Sequence, residues 1–355
     1  MKYKFSLDKG HFITGDILIK DIKTKVYAGR IKDRDLLNRS SSGGAFIAIS
    51  NYFLNNGDAV VCAIYNYKKH ETEFKIIIDK KARDSAIGSK YMQSKPGQVF
   101  KEAKEWLYNY PQKKLLFVGM GCQTDGFRKF TEINKLHERV WIVDIVCHGS
   151  PSSKLWQEYA NALEKKRGKI TYLSFKDKRN GWKFPTAYVI ANGKEYLIKD
   201  YVKVFYSGNA LRPSCYNCPY ATTERKTDLT MGDFWHIEET IPDFYDEEGN
   251  SLFLIHTERG EKLFDTIAEK LEYRLSDTKE CWQANLERPT KKPKQRNIFW
   301  NDYQKKEINF IMRKYGTIAL KTKVKNKISK LISRGGLALK TNQPNYTIAF
   351  ERRLA

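Results

Sequence analysis

Four of the six cysteines in this 355-residue chain lie where the chain turns, outside its apolar runs. Cys122 and Cys147 each follow an apolar segment, in Gly-Met-Gly-Cys-Gln and in Cys-His-Gly-Ser-Pro-Ser. Cys215 and Cys218 form a C-x-x-C pair. Two strands that end in such loops would point their thiols at one edge of a sheet, where the C-x-x-C could complete the set. The spacing therefore predicts a metal site with four thiolate ligands.

Spacing alone leaves three interpretations of these cysteines open. The set could hold an iron–sulfur cluster or a zinc ion, because both prefer thiolate ligands. The C-x-x-C could instead be a redox dithiol, or an incidental pair, with Cys122 and Cys147 as packing residues at strand ends. Cys62 lies among valines and Cys281 beside Trp282 without a partner, so we expect both to be small buried hydrophobes.

Two further loops place small and polar residues just before predicted helices. Backbone N–H groups at a helix start can bind phosphate, and a lysine, an aromatic ring and amide donors suit a nucleotide. The alternative for the first loop is a serine N-cap with a glycine turn. The alternative for the second is an ordinary loop without a ligand. The candidate cofactor-binding residues are Ser41, Ser42, Gly43, Gly44, Ser89, Lys90, Tyr91, Gln93 and Ser94.

His148 directly follows Cys147 and is the candidate catalytic residue, since an imidazole can exchange protons near neutral pH. It could equally satisfy a backbone carbonyl. Asp233, Trp235 and His236 follow a predicted strand and form a polar and aromatic mixture typical of a pocket wall.

The pattern that positions these residues is a recurring strand, Gly-rich loop and helix. It predicts an α/β (mixed α+β) fold with a mixed central sheet flanked by helices. Ligands of such sheets lie beyond the carboxyl ends of the strands, where both cysteine loops should be. We expect residues 169–200 to add three strands to this sheet. The other main predicted elements are strands 59–65, 74–78, 114–118, 140–146, 228–235 and 251–255, and helices 45–54, 98–108, 123–130, 153–166 and 258–271.

Composition excludes several classes of protein. An apolar content of 41% and an aromatic content of 13% indicate a folded chain. Six cysteines in 355 residues argue against a secreted disulfide scaffold. No apolar stretch is long enough to span a membrane, and the N-terminal residues lack the apolar core of a signal peptide. We therefore expect a cytoplasmic protein.

The net charge of +23 is concentrated at the C-terminal end. Residues 288–355 contain 18 Lys and Arg against three acids, a net charge of +15, which leaves +8 for the rest. Residues 320–332 predict a helix with an apolar stripe and lysines beside it. This helix could lie on an anionic membrane surface or dock on the core of the protein, and nucleic-acid binding is the weaker alternative.

Taken in order, the segments resemble the coenzyme F420 hydrogenase/dehydrogenase beta-subunit family over about residues 25–315. The likeness is closest to a bacterial branch associated with surface-polysaccharide biosynthesis. The motifs that carry the resemblance are Ser40–Gly44, Ser89–Ser94, Gly119–Gln123, Asp144–Ser152, Ser174–Lys178 with Gly181-Trp182, Arg212–Cys218 and Arg225–Trp235.

The resemblance implies a flavin, FAD or FMN, held by the two polar loops, and a 4Fe–4S cluster ligated by Cys122, Cys147, Cys215 and Cys218. It also implies an external ferredoxin-like electron donor. By this likeness the chain divides into an N-terminal flavin-loop region, 1–110, a cysteine-containing core of the same family unit, 111–287, and a basic helical tail, 288–355.

Two departures from the family pattern stand out. Many relatives begin with a ferredoxin-like segment rich in cysteine, whereas this chain has no cysteine before Cys62. The loop Gly-Met-Gly-Cys replaces the usual Gly-Thr-Pro-Cys at residues 119–122.

The sequence thus predicts a cytoplasmic flavin and iron–sulfur oxidoreductase of unknown substrate. If the tail, residues 317–355, lies on the inner face of the membrane, a lipid-linked glycan would be a suitable substrate. The alternative is a zinc-stapled scaffold or binding protein, without redox activity, at an anionic membrane surface.

Overall fold

The structure, a computed structural model, describes residues 21–317. The predicted tail helix at residues 320–332 lies outside these residues. Within them, no helix is long and apolar enough to cross a membrane.

A nine-stranded mixed sheet forms the centre of the molecule, in the order β12-β1-β11-β10-β6-β5-β2-β3-β4. Strands β2, β5, β6 and β10 run parallel to one another, whereas β1, β11 and β12 pair antiparallel with their neighbours. Strand β3 is antiparallel to β2 and parallel to β4. The predicted mixed α/β fold is confirmed. The twelve strands within residues 21–317 are β1 (Asp21–Ile31), β2 (Ala59–Asn66), β3 (Glu71–Ile77), β4 (Ser94–Lys95), β5 (Leu115–Met120), β6 (Val140–Ile145), β7 (Ile170–Asp177), β8 (Thr186–Ala191), β9 (Lys194–Leu197), β10 (Leu229–Asp233), β11 (Ser251–Thr257) and β12 (Leu271–Ser276).

Strands β7, β8 and β9 do not join the central sheet, so the expectation for residues 169–200 was wrong on this point. They form a separate antiparallel sheet of three strands. Alternating apolar residues predict a strand but do not identify its partner, because pairing depends on how the connecting segments fold. The mixed character of the central sheet comes instead from the strands antiparallel to their neighbours.

Helices cover both faces of the central sheet. Successive strand residues face opposite sides, so Val60 and Leu116 pack with α2 and α9, while Val61 and Leu115 pack with α4 and α5. The eleven α-helices in the part of the chain that the structure describes are α1 (Arg34–Arg39), α2 (Ala45–Asn55), α3 (Lys80–Asp84), α4 (Val99–Asn109), α5 (Gly121–Ile133), α6 (Ser153–Arg167), α7 (Lys199–Tyr206), α8 (Ile237–Thr240), α9 (Glu258–Ala268), α10 (Arg296–Lys305) and α11 (Ile308–Gly316).

A third apolar cluster joins α6, α7 and the small sheet to the last two helices. Phe299 of α10 and Ile311 and Met312 of α11 are buried in it. Gly316 approaches α7 so closely that a Cβ there would lie 2.5 Å from the carbonyl oxygen of Asp200. Residues 296–316 of the basic segment are therefore packed against the rest of the fold.

Candidate metal centre and its surroundings

Cys122 and Cys147 follow two neighbouring strands of the central sheet. Met120 at the end of β5 pairs with Ile145 at the end of β6, and the two strands are parallel. Cys122 therefore lies in the first turn of α5, and Cys147 lies in the loop that leaves β6 beside it. Both positions are beyond the carboxyl ends of parallel strands, where ligands of such sheets are bound.

The C-x-x-C is brought to the same edge by contacts with the Cys147 loop. Pro151 and Leu211 form an isolated β-bridge, and the backbone N–H of Arg212 donates to the carbonyl of Ser150 at 3.0 Å. A 3₁₀ helix follows at Pro213–Asn217 and carries Cys215.

The surroundings of Cys147 and Cys122 raise the pKa of both thiols. Burial, with smaller contributions from the thiols of Cys215, Cys122 and Cys218, raises the pKa of Cys147 to about 12, although a backbone hydrogen bond from Gly149 opposes the shift. Cys122 is exposed, but partial desolvation by the surrounding atoms also raises the pKa of its thiol, with Cys218 and Cys215 adding to this shift and the guanidinium of Arg212 opposing it. Such effects fade with distance, so the four thiols form one group. A bound cation would offset the repulsion between neighbouring thiolates and would stabilise these cysteines in the thiolate form.

The spacing of the group is wider than one zinc ion requires. Tetrahedral zinc with bonds of about 2.3 Å places its sulfur ligands about 3.8 Å apart. Among residues 21–317, three potential ligand atoms lie within 4.8 Å of one another only at His236, Glu238 and Glu239, so no three of the thiols are that close. A cluster holds each thiolate on a separate iron atom, so the donor set fits a cluster better than a single ion.

A buried ion pair lies within the sheet next to the cysteine loops. Asp144 of β6 is 0% exposed and accepts a hydrogen bond of 2.7 Å from Nη1 of Arg225, which also donates to the carbonyl of Ile145. Thr227 and Thr230 donate to the same carboxylate. Burial raises the pKa of Asp144 despite the nearby guanidinium. The pair joins the segment after Cys218 to the strand that ends before Cys147.

The two polar loops meet at one hydrogen bond. The backbone N–H of Ser89 donates to Oγ of Ser41 at 3.0 Å, and Oγ of Ser42 donates to the carbonyl of Asn250. Gly43 lies against β1 and β11, where a Cβ would be 2.4 Å from backbone atoms of Gly29 and Ser251. Gly44 has φ +86° and is the N-cap residue of α2. These residues therefore also hold the loop against the sheet.

Lys90, Gln93 and Ser94 of the second polar loop form hydrogen bonds with different segments. The amine of Lys90 donates to the carbonyls of Ile87 and Gly88, at 3.3 and 2.9 Å, and burial lowers its pKa to about 8. The backbone N–H of Gln93 donates to the carbonyl of Pro151, and the carbonyl of Ser94 accepts from the Gln123 side chain. The second loop is thus joined to both cysteine loops.

Aromatic rings connect Tyr91 with His148. Tyr91 stacks on Phe205 at 4.3 Å, and its hydroxyl lies 2.9 Å from that of Tyr206. The imidazole of His148 lies 5.3 Å from the ring of Phe205 and 5.5 Å from that of Tyr206. Burial lowers the pKa of His148 to about 4. Residues from both predicted sets are therefore gathered around α7.

The sequence pattern around Asp233 is typical of a pocket wall, but Asp233 is not among the predicted cofactor-binding or catalytic residues. Its carboxylate accepts from Lys176 and, at 2.7 Å, from Nε1 of Trp182, which stacks on Trp235 at 5.0 Å. Its charge also adds to the raised pKa of Tyr206, which burial dominates. The Ser174–Lys178 and Gly181-Trp182 motifs were the available sequence signal for this group of side chains. Only the fold brings these motifs to Asp233 at the end of β10.

Lys178 joins this group to the first polar loop. Its amine donates to the carbonyls of Leu37 and Ser42, at 2.6 and 3.1 Å, and also to that of Glu248. Burial lowers the pKa of this amine to about 8. One side chain therefore joins helix α1 to the first polar loop and to the loop that contains Glu248.

Residues 112–280 match the model of a family described as the C terminus of the beta subunit of coenzyme F420 hydrogenase/dehydrogenase. Among solved structures, the chain is similar to a chain of the F420-reducing NiFe hydrogenase complex from Methanosarcina barkeri. The identity is 17%, the match covers 74% of this chain and 85% of that chain, and the TM-score is 0.49. No curated protein matches.

Proposed function

Residues 112–280 belong to the coenzyme F420 hydrogenase/dehydrogenase beta-subunit family, and on this premise we propose that the chain is an iron–sulfur and flavin oxidoreductase. The observation that carries the proposal is the gathering of four cysteines at the carboxyl edge of the sheet, where Cys122 and Cys147 follow neighbouring parallel strands and the bridge between Pro151 and Leu211 brings in the C-x-x-C.

The proposed ligands of a 4Fe–4S cluster are Cys122, Cys147, Cys215 and Cys218. Two observations support this assignment: no three thiols are as close as one zinc ion would require, and the side chain of Arg212 is near enough to oppose the raised pKa of Cys122. A nearby cation favours the thiolate form and offsets the negative charge of a thiolate-ligated cluster.

We propose that the flavin is held by the two polar loops where Ser41 meets Ser89. The supporting observations are the position of this junction at the carboxyl edge and the hydrogen bonds from the second loop to both cysteine loops. A bound flavin would supply two-electron chemistry that no side chain can perform. Lys178 fixes the first loop through its carbonyl contacts, and Tyr91 closes the second loop against Phe205.

Proton handling is assigned to His148, with Tyr206 beside it. The support is positional, because His148 follows a proposed cluster ligand and its ring lies 5.5 Å from that of Tyr206. Asp233 is close enough to affect Tyr206 and is held in place by Lys176 and Trp182. These side chains can position a substrate and exchange its proton in a partly buried setting.

An external ferredoxin-like donor is the proposed source of electrons. Within residues 21–317, the two cysteines outside the group, Cys62 and Cys281, are buried at 3% and 0% exposure, as the sequence predicted. They therefore offer no second cluster site in this part of the chain.

A role in surface-polysaccharide biosynthesis, and a lipid-linked glycan substrate at the inner face of the membrane, are proposed from the resemblance alone. Deletion of residues 317–355 tests the membrane part of this proposal. Binding to anionic vesicles should be lost, and unimpaired binding would refute it.

The first experiment is anaerobic purification followed by an absorbance spectrum and assays of iron, sulfide and flavin. We expect about four iron atoms per chain and flavin bands over a broad shoulder that bleaches with dithionite. Cys147→Ala should lose the iron, whereas Cys62→Ala, which removes a buried thiol outside the group, should retain it. A colourless, zinc-loaded protein without flavin would refute the proposal and support the alternative of a zinc-stapled scaffold.

A further inference from the structure

A short basic segment crosses the surface directly over the cysteine loops. We call residues 288–296 the basic strap, because it has the sequence Arg-Pro-Thr-Lys-Lys-Pro-Lys-Gln-Arg, with five cations and no acid. The hydroxyl of Thr290 donates to the carbonyl of His148. Pro293 lies against Gly208, where an added Cβ would be 3.2 Å from its Cγ. The strap is therefore fixed against the segments that carry Cys147 and the C-x-x-C.

The end of the strap is anchored to the C-x-x-C turn. Nε of Arg296 donates to the hydroxyl of Tyr216 at 2.8 Å, and its Nη2 donates to the carbonyl of Leu211 at 3.2 Å. Tyr216 follows Cys215 directly, so the guanidinium is held one residue from a proposed cluster ligand.

The three lysines of the strap carry uncompensated charge. Lys291, Lys292 and Lys294 are exposed, and none forms an ion pair with any residue in the part of the chain that the structure describes. Three neighbouring cations without acids create a positive potential that attracts and orients an acidic partner.

A cavity of about 270 Å³ opens between the strap and the C-x-x-C turn. Its walls combine two cations with an aromatic ring, and Cys215 lies in the turn that forms one side. A concave site of this kind accepts a projecting carboxylate, whereas a flat bilayer surface could not enter it. The residues that line it are Pro213, Tyr216, Asn217, Lys292 and Arg296.

We propose that the basic strap and this cavity are the docking site of a small acidic redox protein, which places a surface carboxylate between Lys292 and Arg296. The identity of the partner as an electron donor rests on the proposed function, whereas the preference for an acidic protein rests on the charges and the cavity. Docking here would place the partner beside Cys215 and Cys218, the two proposed cluster ligands of the C-x-x-C turn.

The test measures binding of the full-length protein to an acidic 2Fe–2S ferredoxin at low and at high salt. The strap variant is Lys291→Gln/Lys292→Gln/Lys294→Gln. The matched control is Lys165→Gln/Lys166→Gln/Lys169→Gln, which removes three exposed lysines near the end of α6. The strap variant should bind with an on-rate about tenfold lower at low salt, and the control should bind like the wild type. High salt should weaken the wild-type complex.

Three results would overturn the proposal: no binding by the wild type, equal losses in both variants, or a strap variant that loses binding to anionic vesicles and not to ferredoxin. Melting temperatures of both variants should match the wild type, which separates a lost contact from a lost fold. Iron assayed on the same preparation tests the proposed function separately. An iron-free protein that still binds ferredoxin through the strap would refute that function and support the docking site.

Discussion

The buried pair of Asp144 and Arg225 offers a sharp test of how the cysteine edge is supported. Replacing Arg225 by Met removes the cation but leaves a carboxylate that is 0% exposed, with only Thr227 and Thr230 as side-chain donors. An uncompensated buried charge of this kind costs about 3–5 kcal/mol. Because domains are stable by only about 5–15 kcal/mol, the loss should be plain in chemical or thermal unfolding.

The double variant Arg225→Met/Asp144→Asn separates the charge from the rest of the contact. It removes both charges, so we expect it to be about 2–3 kcal/mol more stable than Arg225→Met alone. The matched surface control is Lys101→Met, since Lys101 and Glu105 are 72% and 59% exposed and lie 3.7 Å apart. This control should change the free energy of unfolding by less than about 1 kcal/mol.

The pH dependence of Arg225→Met provides a second readout. Burial already raises the pKa of Asp144, and loss of the guanidinium would raise it further. A carboxyl whose pKa is raised in the fold stabilises the fold below its unfolded pKa and loses that contribution as pH rises through the folded pKa. The deficit of the variant should therefore shrink as pH falls. Equal stabilities of the single and double variants at every pH would refute the reasoning.

Three further predictions follow from other parts of the molecule. Gly43→Ala should cost about 1–3 kcal/mol, since its Cβ would lie 2.4 Å from two backbone atoms, whereas Gly126→Ala, with its nearest contact at 4.0 Å, should be neutral or stabilising in thermal melts. Burial lowers the pKa of His256 from 6.5 to about 3, so the free energy of unfolding should fall as the pH drops below 6.5, by at most about 1.4 kcal/mol per pH unit. Urea midpoints measured against pH should fall less steeply for His256→Asn than for the wild type. An unchanged slope would contradict this prediction. Alkylation of the metal-free protein, read by mass spectrometry, should modify the exposed Cys122 first and leave the buried Cys62 and Cys281 unmodified until unfolding, and early modification of Cys62 would contradict the fold around β2.

Much of the architecture was predictable because it depends on local patterns. Apolar runs bounded by glycine identified the strands that end before Cys122 and Cys147, and the glycine turn at residues 43–44 identified the start of α2. The burial of Cys62 and Cys281 was also predictable, because small apolar-like residues inside strands or beside aromatic rings tend to be buried.

The pairing of strands was not predictable from the same patterns. Strands β7, β8 and β9 have ordinary alternation, yet they form their own sheet, since a strand pairs with whichever partner the connecting chain can bring alongside. For the same reason the sequence offered no indication that Lys176 and Trp182 would share the carboxylate of Asp233, more than fifty residues away.

The sequence by itself determined which residues can do chemistry: thiols at turns, a histidine beside one of them, and loops of small and polar residues before helices. Those properties belong to side-chain type and to neighbours along the chain. Only the tertiary structure decided which of them meet. It joined Ser41 to Ser89, placed Tyr91 and His148 around α7 and laid the basic strap over the cysteine loops. These contacts connect residues far apart in the chain, and they depend on the packing of the whole sheet and not on any local pattern.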